Sequence, residues 1–229
     1  MSYFKNNEYS DFEINLLLSY AVLCIIMSIS PYDRLTWLVE NATVWCCACL
    51  VFYVRSKKHR FSNTSLVILY IAAVLHTIGG YFSFQLVPGG KLLFFCGPAG
   101  RNNFDRLGHF FCGMLTFPLF EVMTCRKIAT TVRSSFVLSA MSIMGVAALY
   151  ELFEWLDFLV AEARFGEIIL GSQGDRWDAQ ADMFMCLLGC IFSGILAWRW
   201  QKKRDCVASV CSTRTVKSKG EQAENNPER

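Results

Sequence analysis

LGSQGDRWDAQADMFMCLLGCIFSGILAWRW, residues 170 to 200, joins an acidic lead to a long apolar run. Asp175, Asp178 and Asp182 come first, and sixteen uncharged residues then separate Asp182 from Arg199. As a helix rising about 1.5 Å per residue, Ala181–Trp200 covers about 30 Å, the depth of a bilayer's hydrocarbon layer. This is a membrane span with acid on its leading edge.

The same signal recurs upstream. Apolar blocks cover approximately Ile14–Ser30, Leu35–Val54, Leu66–Val87, Leu107–Cys125 and Phe136–Val160. Charged residues make up 18% of the chain, against about 25% in soluble domains, and the apolar excess falls in these blocks. In lipid a helix satisfies its own backbone. The expected fold is therefore all-α: a polytopic transmembrane helix bundle of about six spans, forming one domain over residues 1–200. Residues 201–229 are polar, which predicts a tail without fixed structure. Ahead of the first span, Lys5 is set against Glu8, Asp11 and Glu13. A signal peptide needs a positive leader, so this span reads as uncleaved.

Orientation follows from lysine and arginine. Arg55, Lys57, Lys58 and Arg60 follow the second span, Arg126, Lys127 and Arg133 the fourth, and Lys202, Lys203 and Arg204 the sixth. With Lys5, Arg199 and the rest of the tail, sixteen of the 22 basic residues fall on one side, which the positive-inside rule makes cytoplasmic. Both termini are then cytoplasmic, and the acidic lead of the sixth span faces out. The net charge of +3 gives no basis for nucleic-acid binding; the bilayer is the partner this sequence implies. The eleven cysteines lie mostly in apolar runs, and the Cys46–Cys49 pair has no second pair to complete a zinc site. They read as small buried hydrophobes.

With direction assigned, polar residues of five spans gather in the outer half. Glu40 and Asn41 come from the second span, His76 from the third, Asp105 and His109 from the fourth. Glu151, Glu154 and Asp157 come from the fifth, and Asp178, Gln180 and Asp182 from the sixth. One acid in a span costs about 2.5–3.5 kcal/mol, so repeating it on one side argues for a shared polar pocket. Glu151, Glu154, Asp178 and Asp182 are the candidate catalytic carboxylates, each pair projecting from one helix face. His76 and His109 are candidate ligands of a divalent metal. Arg101 and Arg106, with Asn103, Asp105 and Gln180, are candidates for holding a substrate head group, although Arg106 could equally neutralise neighbouring acids.

The stretches RNNFDRLGHFFCG, LYELFEWL and LGSQGDRWDAQADMF, with HTIGG upstream, resemble the YjdF-type bacterial inner membrane proteins over most of residues 15 to 200. A looser resemblance, through the Asp-Arg-x-x-His pattern at a span start, is to VanZ-like membrane proteins. The family likeness implies a small multi-pass protein of the bacterial plasma (inner) membrane and implies no chemistry. Where family members often carry a second histidine after Gly-Gly, this chain has Tyr81. Three functions stay open on the residues: an enzyme acting on a lipid or envelope precursor, a proton-coupled transporter, and an accessory protein whose polar cluster fixes helix registry.

Overall fold

A computed structural model describes residues 9–97, 100–165 and 173–224, and the described residues are helical with no strand. The helices are α1 (Asp11–Ser28), α2 (Arg34–Ser56), α3 (Asn63–Tyr81), α4 (Phe104–Met114), α5 (Thr116–Cys125), α6 (Val132–Phe165) and α7 (Asp178–Glu224). Two short 3-10 turns, Gly90–Leu92 and Phe94–Cys96, lie in the connection before α4. Taking α4 and α5 together, six helical segments are long and apolar enough to cross a membrane.

The fourth span, expected as one helix, is two. Pro118 has no N–H to give the carbonyl of Met114, and that carbonyl instead accepts a hydrogen bond of 3.0 Å from Ser193 Oγ on α7. The turn tightens at Leu115, whose N–H reaches back only to Cys112. The broken helix is the centre of the bundle: α4 touches α3, α6 and α7, and α5 packs between α6 and α7. Helices α1 and α2 lie on the far side of α3.

The tightest crossing is α4 on α7. A Cβ on Gly113 would fall 1.9 Å from the Cys186 carbonyl oxygen, and one on Gly189 would fall 2.1 Å from that of Phe110. Only glycine allows two backbones this close. Cys186 and Cys190 are buried beside this crossing. A separate core near the α5 end joins Ile68, Met114, Phe117, Phe120 and Ala197.

Helix ends differ from the expected blocks in two places. The third helix stops at Tyr81 rather than Val87, and the backbone turns over Ser83 and Phe84, both at φ 51°. The Phe84 N–H donates to the Gly79 carbonyl at 2.7 Å and closes that turn. Helix α7 continues through the polar tail to Glu224, where no fixed structure was expected. Between Gln201 and Lys219 the tail has neither glycine nor proline to interrupt it.

Candidate functional site

The bundle has a basic end, at the 57–62 and 126–131 connections, and an opposite end where the polar residues meet. The connection before α4, described over residues 82–97 and 100–103, lies at that opposite end. Asn102 fixes it, donating from Nδ2 to the carbonyls of Gln85 (2.7 Å) and Val87 (3.0 Å). The Asn102 backbone also exchanges two hydrogen bonds with the Gln173 side chain, at 3.0 and 2.9 Å, tying the loop to the approach of α7. Gly174, at φ 82°, then turns the chain, and Asp175 Oδ1 accepts from the Trp177 N–H at 3.0 Å just before α7 begins.

Two buried arginines face this acidic approach. Arg106 Nη2 lies 2.6 Å from Asp175 Oδ2 and 3.5 Å from Asp178 Oδ1, with its Nε 3.9 Å from Asp182 Oδ1. Arg101 pairs with Asp178 and lies 3.5 Å from Asp175. The Trp177 N–H, together with the Arg106 guanidinium, holds the Asp175 carboxyl below the usual carboxylate range. The ion-pair alternative for Arg106 is therefore realised, and Arg101 shares it.

One turn deeper, α4 and α7 bring three possible metal ligands together. A ligand atom each from Asp105, His109 and Asp182 lie within 4.8 Å of one another. His109 Nε2 is also 3.1 Å from Glu151 Oε1 and 3.7 Å from Asp105 Oδ1. Asp182 is 1% exposed, yet among the described residues its Oδ1 has no hydrogen-bond partner, and neither does His109 Nδ1. Glu151 Oε1, Asp178 Oδ1 and Arg106 Nε share this state, so the cluster as a whole is short of well-aligned hydrogen bonds.

A second polar group adjoins the first. Glu40 Oε2 accepts a hydrogen bond of 2.6 Å from Tyr150 Oη and lies 3.0 Å from His76 Nε2. The Tyr150 ring stands edge-on between His76 and His109, with both ring centres 6.1 Å away. Asn41 is wholly buried one residue along, accepting from Thr77 Oγ1 at 2.9 Å.

Several expected site residues lie elsewhere. His76 keeps to Glu40 and stands outside the Asp105–His109–Asp182 group. Gln180 is exposed, because two residues from Asp178 and from Asp182 is about 200° around a helix. Glu154 is exposed too, one turn beyond the buried Glu151. Asn103 is wholly buried as a structural strut, its Nδ2 donating to the Leu93 carbonyl at 3.3 Å. Asp105, expected to hold substrate, is one of the three possible metal ligands. The Asp157 side chain lies outside the described residues. Tyr150 and Gln173 were missed as partners; a tyrosine one residue before an intramembrane glutamate is the signal that could have found the first.

The six-span bundle and its buried polar end define a multi-pass helical membrane protein. The chain belongs to the family described as "Predicted membrane protein (DUF2238)", whose family model matches residues 12–203. It is 30% identical over 187 residues to the inner membrane protein YjdF of Escherichia coli (strain K12), covering 80% of this chain and 87% of that one. No solved structure matches. Its location is the bacterial inner membrane.

Proposed function

We propose that this protein is a membrane enzyme that holds one divalent cation at Asp105, His109 and Asp182 and acts on the polar head of a lipid or envelope precursor at the outer face. The observation that carries the reading is the approach of those three ligand atoms to within 4.8 Å, with buried Asp182 Oδ1 and His109 Nδ1 lacking hydrogen-bond partners. Carboxylate oxygen with imidazole nitrogen suits zinc, manganese or iron. Such an ion, when bound, polarises a phosphoryl or carbonyl oxygen and makes water a better nucleophile.

This chain's own residues supply the rest. Glu151, 3.1 Å from His109, is the candidate general base. Beside it Glu40 joins Tyr150 and His76 in a second polar group, whose tyrosine ring stands against His109 and helps hold that imidazole in place. Arg101 and Arg106, now on Asp175 and Asp178, can exchange those carboxylates for an anionic head group. Outer placement rests on the sixteen basic residues assigned to the other side. A reporter fused near Gly90 should score external, and one near Lys58 or Lys127 cytoplasmic.

A transport reading draws less support, since the carboxylates crowd one end. The accessory reading requires a fully paired cluster, which the lack of hydrogen bonds at Asp182 Oδ1 and His109 Nδ1 among the described residues does not favour. The test is purified protein in nanodiscs made from a bacterial total lipid extract, incubated with manganese and read by lipid mass spectrometry. Head-group loss that disappears with EDTA and in Asp182→Asn supports the enzyme. A lipid profile that is the same in all three samples contradicts it.

A further inference from the structure

One cavity of about 290 Å³ runs through the bundle from the candidate site toward the basic end. His76, Asp105, His109 and Tyr150 line one end of it, and Glu13 and Arg55 line the other. Between these ends its wall is almost wholly apolar, with Leu17 from α1, Val51 from α2, Leu66 and Ala73 from α3, and Ala147 from α6. The space exists because small side chains stand where helices face one another, notably Ala48, Ala72, Cys47 and Cys112.

Along α3 the lining residues run from Leu66 to His76, and along α2 from Thr43 to Arg55. At about 1.5 Å per residue these stretches are about 15–18 Å long. That is about half of the roughly 30 Å hydrocarbon layer, the reach of one lipid chain. Protein interiors pack like crystals, and apolar cavities do not hold water. In a protein surrounded by lipid, hydrocarbon is the material at hand to fill such a space.

We propose that this cavity is the tail site of the substrate: it takes one aliphatic chain of a membrane lipid whose polar head sits at Asp105, His109 and the two arginines. The identification of the head with that cluster rests on the reading given under Proposed function. Two features select this occupant. Carboxylate, guanidinium and imidazole side chains line the cavity only at its ends, matching an amphiphile laid along it, and two of the three possible metal ligands line one of those ends. At the far end the buried pair Arg55 Nε–Glu13 Oε1, 3.2 Å apart, closes the tunnel with charge, so a chain that reaches it can go no deeper.

The test uses full-length protein in nanodiscs of phosphatidylethanolamine and phosphatidylglycerol. The nanodiscs are doped with a phospholipid carrying a diazirine at the end of one acyl chain. After illumination, peptide mass spectrometry locates the adducts. Adducts are expected on Leu16, Val51 and Leu66, located within their peptides by fragmentation, and falling at least tenfold in Ala73→Trp, while adducts at lipid-facing Val22 and Ile25 are unchanged. Val51→Trp serves where Ala73→Trp does not fold, and either variant must keep the wild-type metal content. Adducts confined to Val22, Ile25 and other outward residues, in protein that still binds manganese, overturn the tail site and leave the metal reading standing. Cavity adducts in protein that binds no metal keep the tail site and remove the metal reading alone.

Discussion

The two ends of this bundle bury carboxylates in opposite ways. At the basic end each acid is fully engaged. Glu13 accepts from the Ser10 N–H at 2.8 Å and from Arg55 Nε at 3.2 Å, closing a capping box on α1 while joining α1 to α2. Glu121 accepts from the Ser62 N–H and Oγ, both at 2.9 Å, and from Ser65 Oγ, so it caps α3 from α5. At the other end Asp105, Glu151, Asp175, Asp178 and Asp182 share Arg101, Arg106 and His109. Five carboxylates crowd round two arginines and one histidine there, so none has a cation to itself. Burial of an acid alone therefore does not mark function: a satisfied one holds helices together, and only the crowded ones form the site proposed to bind a cation.

Breaking the satisfied end should cost stability outright. Arg55→Ala leaves Glu13 buried without its cation, and a loss of about 3–5 kcal/mol is expected in denaturant unfolding of the purified protein. Changing Glu13 to Ala as well should recover part of that loss, because no unpaired charge then remains. The crowded end should respond differently. Without metal, Asp182→Asn should melt close to wild type, since the amide keeps the size and polarity of the buried side chain. With manganese at about 100 times its dissociation constant, wild type should gain about 2.7 kcal/mol and the variant nothing.

Two smaller effects sharpen the contrast. Glu121→Ala strips three donors of one acceptor and should cost about 1–3 kcal/mol, with Glu121→Gln retaining most of the stability. Acid should weaken the Asp175 clamp slightly. Its carboxyl sits below the usual range when folded, so its contribution is present above the unfolded value of about 3.9 and is lost as pH falls through the folded one. Asp175→Asn should therefore flatten the wild-type fall in melting temperature below about pH 4. The clamp is partly exposed, so this is the smallest of the four effects.

Much of this fold was legible from periodicity and run length, because the bilayer admits few alternatives. The family resemblance was legible too, in the motifs around His109, Glu151 and Asp178. The break at Leu115 was signalled by Pro118 but hidden by the unbroken hydropathy around it. For the site, run length gave depth along each span and left rotation about the axis open. The exposure of Gln180 follows from counting 100° per residue from Asp178, a step available in the sequence alone. That His76 meets Glu40 and not His109 depends on how α2, α3 and α6 pack, and no spacing within one helix encodes it. Gln173 and Asp175 act through loop geometry, which hydropathy does not see.

The central claim is that the crowded end holds a cation. Its most direct test is titration of metal-free purified protein with manganese, followed by electron paramagnetic resonance in wild type, Asp182→Asn and Arg55→Lys. One bound manganese per chain is expected, with a nitrogen coupling assignable to His109, loss of both in Asp182→Asn and retention in Arg55→Lys. Equal, weak and nitrogen-free binding in all three proteins would contradict it, leaving these acids as a structural cluster.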